Sequence, residues 1–210
     1  AFRVNAIDYL LKPFSPDDIA QVMVRLNKVK PLPAASQIPS GKGRIYCFGR
    51  LSVYGAGSGE PVKWRTAKAE ELFAFMLQNR NHEVPKWKIA RALWPEWEED
   101  PHLNVKLHTT VYKVKKTLCE ANIKFDFTFQ NGKYKLELPD IYVDTAAFVT
   151  ITEGGIDITE ASLANCKRAF RLFRGNYLGE NEYLWSQSEA ETYSARYRSL
   201  VSALVHYYTA

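Results

Sequence analysis

Four lysines, three threonines and a tyrosine crowd into one sixteen-residue stretch, LNVKLHTTVYKVKKTL (103–118). Their chemistry is that of anion and hydrogen-bond recognition. Lys106, Lys113, Lys115 and Lys116 carry ammonium groups that can neutralise phosphate, Thr109 and Thr110 offer short hydroxyls, and Tyr112 adds a phenol. The same stretch repeats Leu103, Leu107, Val111, Val114 and Leu118 every three or four positions, which makes one apolar stripe on a helix and leaves the polar groups on its other faces. At once there follows FDFTFQ-NG-KYKLEL (125–138), two alternating strands joined by Asn131-Gly132, the strongest short-range hairpin signal. Lys133, Tyr134 and Lys135 stand just beyond that turn. A helix of small polar and cationic side chains fits a DNA major groove, and a basic hairpin beside it can grip flanking phosphate. A lysine-rich helix face can also be merely solvated, so the neighbouring elements must decide.

Those elements precede the helix in a definite order. RIYCFGRLSVYG and VKWR suggest short antiparallel strands. Thr66 is placed to cap a helix through AKAEELFAFMLQN, with Glu70 and Glu71 in its first turns and Leu72, Phe73, Phe75 and Met76 for the core. A second helix begins near Pro85, runs through KWKIARALW and is stopped by Pro95. An acidic loop containing Glu96, Trp97, Glu98, Glu99 and Asp100 leads into the cationic helix. Three helices and a C-terminal hairpin behind an N-terminal sheet describe a winged helix-turn-helix over residues 44–138, within an α+β chain. The duplex DNA it implies as partner is double-stranded.

The flanks read differently. Residues 1–30 hold an apolar run ending at Lys12-Pro13, then a helix opened by Ser15 as cap and Pro16 at its first position. Residues 31–43, PLPAASQIPSGKG, lack periodicity and read as a linker. Residues 139–210 are read as all-α and tetratricopeptide-like: Ala161–Arg174 aligns Leu163, Cys166, Ala169, Phe170 and Phe173 and stops at Gly175, and a long helix from about Ser186 aligns Ala190, Tyr193, Tyr197, Leu200, Leu204 and Tyr207. Two helices with aromatic stripes and a start at Ala in mid-motif lead to the expectation that this is a piece of a longer protein.

Composition narrows the classes further. Hydrophobic residues make up 46% of the 210 and aromatic residues 13%, ample for packed cores. The net charge of +5 is uneven: residues 41–138 carry seventeen lysines and arginines against eleven acids, whereas 139–210 carry six against nine. The excess lies on the segment with the cationic helix, the footprint of a modest nucleic-acid binder. No apolar run approaches the roughly 18 residues that span a bilayer, so no membrane partner is expected. Cys47, Cys119 and Cys166 are far apart and are expected as buried free thiols in a reducing cytoplasm.

Chemistry of other kinds finds little footing. His82, His102, His108 and His206 share no metal or triad spacing, so no catalytic residue, metal or cofactor is expected and the chain reads as no enzyme. Gly55, Gly57 and Gly59 precede a strand pattern rather than a helix, which makes them a turn and not a phosphate cradle. Trp64, Trp87, Trp94 and Trp185 read as core or interface anchors, while Trp97, among acids, is a candidate partner contact. A competing reading is an interaction scaffold whose basic face docks acidic proteins.

FGRLSV, VKWRTAKAEELFAFML, IARALWP, VYKVKKTL and NGKYKLEL together resemble the OmpR/PhoB-type winged-helix domain. YVDTAAF and the residues from ANCKRAFRLFRGNYLGENEYLW onward look like the start of a bacterial transcriptional activation domain, and NAIDYLLKPFSPDDI resembles the final strand and helix of a two-component receiver. Their order is similar to that of SARP-type response regulators. The resemblance implies a sequence-specific transcriptional activator in which Thr109, Thr110 and Lys113 face base edges. Lys106, Tyr112, Lys115 and Lys116 would lie nearer the backbone, and Asn131, Lys133 and Tyr134 would contact groove and phosphate. It further implies a receiver switch at Tyr9, Lys12 and Pro13, answering a sensor histidine kinase through a receiver half that this sequence lacks. The same resemblance implies a contact of Glu96–Asp100 with RNA polymerase and a homodimer on DNA. Lysine at 113 and 115, where the family often has arginine, makes less rigid base contacts.

Overall fold

The computed structural model describes residues 42–94, 98 and 100–209. The receiver-like segment with Tyr9, Lys12 and Pro13, the linker up to residue 41, and Glu96, Trp97 and Glu99 lie outside the described residues. Two compact units emerge: residues 42–45 with 51–142, and residues 46–50 with 143–209. The sequence reading placed the boundary at 138/139 and kept 46–50 with the first unit.

The first unit begins with strands β1 (Gly43–Tyr46) and β2 (Ser52–Tyr54), which with β6 (Ile141–Val143) form a sheet in the order β2-β1-β6. The unit boundary falls after Ile45 in β1 and after Tyr142 in β6. Helix α1 (Ala67–Gln78) starts as expected: the Thr66 hydroxyl accepts the Ala69 N–H at 3.3 Å, meeting one of the orphan donors of the first turn. Its residues Leu72–Leu77 are all buried. Strand β3 (Val84–Pro85) leads directly into α2 (Lys86–Leu93), where Ile89, Ala90 and Leu93 face inward. Lys68 of α1 donates to the Leu93 carbonyl at 2.6 Å, placing a cation at the carbonyl end of α2.

Helix α3 (Leu103–Glu120) is the cationic segment. Leu107, Val111, Val114 and Leu118 are buried along the expected stripe, and Leu103 is half-buried. The helix closes with Asn122 at φ 53°, the Ile123 N–H donating to Leu118 and the Asn122 N–H to Cys119. That pair of bonds, with Ile123 buried, is a Schellman end with asparagine in the left-handed position. Strands β4 (Asp126–Gln130) and β5 (Lys133–Glu137) pair antiparallel, with Phe129 opposite Tyr134 and Gln130 opposite Lys133. Asn131 at φ 49° and Gly132 at φ 76° form the two-residue turn, both left-handed as a type I′ turn requires. β5 also pairs with β3, so the second sheet runs β3-β5-β4.

The second unit packs α4 (Asp144–Thr152), α5 (Glu160–Leu172), a short 3-10 turn (Leu184–Ser186) and α6 (Gln187–Thr209) with the segment Tyr46–Arg50. Phe48 lies at its centre, 4.8 Å from the Phe173 ring, 5.2 Å from Phe148 and 5.4 Å from Tyr193. Helix α5 ends at Leu172, before the expected stop at Gly175, because Phe173 turns into this aromatic cluster and stacks on Tyr197 at 4.1 Å. The carboxylate of Asp144 is fully buried and accepts the N–H groups of Cys47, Phe48 and Thr145 at 2.8–3.1 Å.

Two side-chain expectations need correction. Trp87 is exposed on α2 rather than an anchor, since the buried side of that short helix is taken by Ile89, Ala90 and Leu93. Cys119 is exposed, unlike Cys47 and Cys166, because it stands beside the stripe of α3 rather than on it. A thiol reagent applied to the native chain is therefore expected to label one cysteine of three, and all three only after denaturation; mass spectrometry of the labelled peptides checks this, and rapid labelling of Cys47 or Cys166 would contradict it.

Candidate nucleic-acid interface

At about 100° per residue, the α3 stripe Leu107, Val111, Val114 and Leu118 lies opposite a line formed by Val105, Thr109, Tyr112 and Lys116. That outer line is open to solvent: Tyr112 is 62% exposed and Thr109 and Lys116 are exposed. Lys106 and Lys113 flank the line on one side; Asn104, His108 and Lys115 flank it on the other. Lys113 and Lys115 are half-buried along their stems.

The second flank holds the hairpin. His108 meets Phe129 edge-on at 6.1 Å, its Nδ1 lies 3.3 Å from the Tyr134 hydroxyl, and the Lys115 ammonium sits 5.8 Å above the Phe127 ring. Phe129 and Tyr134 pack against each other at 4.5 Å. The turn is tied from the other end too, because the Gly132 carbonyl accepts the Lys86 N–H at 3.1 Å, at the start of α2. Helix, hairpin and the α2 start therefore hold one another, and the exposed line of α3 runs beside the hairpin tip with Asn131 and Lys133 exposed.

Two of the expected contact residues face elsewhere. Thr110 is only 7% exposed and its hydroxyl donates to the Lys106 carbonyl at 2.7 Å. It lies more than a right angle from the outer line, on the shoulder of the buried stripe, where a small hydroxyl can fold back on its own helix. Tyr134 is 2% exposed, and burial pushes its phenol up from the ordinary range. Strand alternation puts it on the face that β5 turns inward with Leu136. Neither is presented to a nucleic acid; both support the surface from beneath.

The charges are partly occupied. Lys133 pairs with Glu83 at 2.8 Å, and its hydrogen bond and charge hold that carboxyl below the ordinary range. Lys135 pairs with Glu137 at 2.5 Å, which raises the lysine. Asp100 takes the Lys106 ammonium at 2.6 Å and the His102 N–H at 2.9 Å, and both lower its carboxyl. The Asp100 carboxylate thus stands just before the start of α3, where a negative charge is favoured by the helix dipole, rather than standing out with exposed Glu98. Among the described residues, Lys113 and Lys116 form no ion pair. Exposed pairs of this kind exchange readily for phosphate because they are worth little in water.

Val105 and Phe129 are exposed residues of this candidate surface that the sequence reading passed over, whereas His108 reads from sequence as a polar helix residue near DNA. Helical spacing from Thr109 and Tyr112 locates Val105; for Phe129 the signal is weaker, since it needs the hairpin's side of α3 to be known. Among the described residues no group of histidine, cysteine and carboxylate side chains could hold a metal ion. None of their helices is long and apolar enough to cross a membrane.

No family model matches the chain. Among curated proteins it is similar to the transcriptional regulatory protein EmbR of Mycobacterium bovis, 27% identical over 129 residues, which cover 58% of this chain and 33% of EmbR. The EmbR proteins of two Mycobacterium tuberculosis strains match to the same extent. The matched stretch is thus about one third of these relatives' length. The structure of Mycobacterium tuberculosis EmbR in complex with a low-affinity phosphopeptide superposes with a TM-score of 0.63 at 23% identity, covering 74% of this chain and 42% of that one. Over that length the two share a mixed α+β fold.

Proposed function

We propose that residues 42–45 and 51–142 form a winged-helix unit that binds double-stranded DNA in a transcriptional regulator, with α3 in the major groove and the β4–β5 hairpin on adjacent backbone. The observation that carries it is the outer line of α3, exposed over about three turns, bordered by Lys106 and Lys113 and held beside a hairpin whose tip carries Lys133. The likeness to EmbR, a transcriptional regulatory protein by name, supports the same reading. Thr109 and Lys113 are assigned to base edges, Lys116 and Lys133 to phosphate, and Lys115 to holding the hairpin through Phe127 as well as to charge. Activation through RNA polymerase at the acidic loop, pairing of two copies on adjacent half-sites, and control by a sensor kinase acting on a receiver rest on the sequence resemblance alone. A cytoplasmic place belongs with them.

Selection of bound duplexes from a random pool, repeated at two salt concentrations, tests the proposal. The expected result is one enriched motif and an affinity that falls steeply with salt. Lys116→Ala is expected to weaken binding to all duplexes alike and to lower the slope of log affinity against log salt by about 0.9. Lys113→Ala is expected to cost about 1–3 kcal/mol and to relax preference at one base pair. Salt-insensitive capture of an acidic protein with no enriched duplex would instead support the scaffold reading.

A further inference from the structure

We propose that Val105 is a specificity residue that reads the C5 methyl group of a thymine, an assignment that rests on α3 entering a major groove. Val105 is the third residue of α3 and is 66% exposed, the most open of the apolar side chains on that helix. It heads the outer line, four residues before Thr109 and seven before Tyr112. Among the described residues it lies off the buried stripe of α3. It is not among the buried residues of the helix, and valine has a lower helix propensity than the lysine, glutamate or alanine that an exposed helix position would otherwise favour.

Its chemistry narrows what it can meet. An isopropyl group neither donates nor accepts a hydrogen bond, and in the major groove the C5 methyl of thymine is the one apolar group a base pair offers. The first turns of a recognition helix are where base edges are approached. The surroundings favour a polyanion over an apolar protein surface: Lys106 lies next to Val105 in sequence, with Lys113 on the same flank and Lys116 on the same line. Ammonium groups on the adjacent backbone would hold the valine against the bases beside them. Tyr112, 62% exposed on the same line, continues the strip away from the first turns.

The experiment uses the 210-residue chain and the duplex enriched in the selection above, with each thymine replaced in turn by deoxyuridine, which removes only the methyl group. Affinities are read by fluorescence anisotropy. The native chain is expected to lose roughly fourfold at one thymine of a half-site, the scale of one buried methyl group. Val105→Ala is expected to bind the unmodified duplex about fourfold more weakly and to show no further loss on deoxyuridine at that position, while keeping any sensitivity elsewhere. Because Val105 is exposed and alanine is the better helix former, the variant folds. A native chain that binds one motif but is indifferent to every deoxyuridine substitution overturns the assignment, as does a Val105→Ala variant with the native profile. Absence of any sequence-selective binding overturns the functional reading first and this assignment with it.

Discussion

Gly55→Ala is expected to destabilise the unit that carries α3 by about 3 kcal/mol, at the upper end of what overpacking costs. A Cβ at position 55 would lie 2.1 Å from the carbonyl oxygen of Ala121, the residue that closes α3. The clash is with backbone, so no rotamer change relieves it. Either the turn after β2 or the end of α3 must move, and α3 is the element that the proposed DNA contact depends on. Thermal unfolding of the chain should show the transition of this unit falling by roughly 12–24 °C, given about 4–8 °C per kcal/mol for a unit of about this size. Gly59→Ala is the control, because nothing lies within 4 Å of a Cβ there and it should leave the transition in place. A Gly55→Ala chain with native stability would show that the approach of the turn to α3 is not what the geometry says.

Asp144→Ala is expected to have an effect of similar size in the other unit. Removing the carboxylate leaves the N–H groups of Cys47, Phe48 and Thr145 buried without their acceptor, at about 1–3 kcal/mol for each orphaned group, offset in part by release of a desolvated charge. Asp144→Asn keeps one acceptor oxygen and should cost less. The acid also predicts a pH dependence. Burial pushes its carboxyl up to about 6, despite the Cys47 and Phe48 N–H groups, Arg174 and the Thr145 N–H, which all act the other way. The folded state therefore holds the proton more tightly than the unfolded chain, whose ordinary value is 3.8. The stabilisation from that proton is complete below about pH 4 and is lost as pH rises through about 6, amounting to roughly 3 kcal/mol at most. Unfolding of this unit, followed from pH 7.5 to 5, should show a rise in native stability relative to Asp144→Asn. Parallel pH profiles for the two proteins would refute it.

Much of the proposed interface was legible in the residues. The Asn131-Gly132 turn, the Thr66 cap and the apolar stripe of α3 are local signals, each set by neighbours within a few positions. They hold because a two-residue turn with both φ positive, a hydroxyl three residues before an orphan N–H, and a repeat near 3.6 are satisfied by the chain against itself. Thr110 shows where that reasoning stops. Its spacing puts it on the shoulder of the stripe, and only the packing against α3 decides that the shoulder is buried. Tyr134 fails for the matching reason in a strand: alternation separates its neighbours into two faces without saying which face turns inward.

What the sequence determined by itself was the three helices and the hairpin of residues 66–138 and the concentration of positive charge on residues 41–138, since these depend on side-chain type and short-range geometry. The expected strand over VKWR is absent, and the strand Ile141–Val143 stands in a segment read as all-α. Tertiary structure alone decided that Ala121 rules out a side chain at Gly55, that Asp144 caps the N–H groups of Cys47 and Phe48, and that Lys133, Lys135 and Lys106 already hold acids. Gly55 and Asp144 act across more than sixty positions, where no local pattern carries the pairing and only the meeting of distant surfaces can set it.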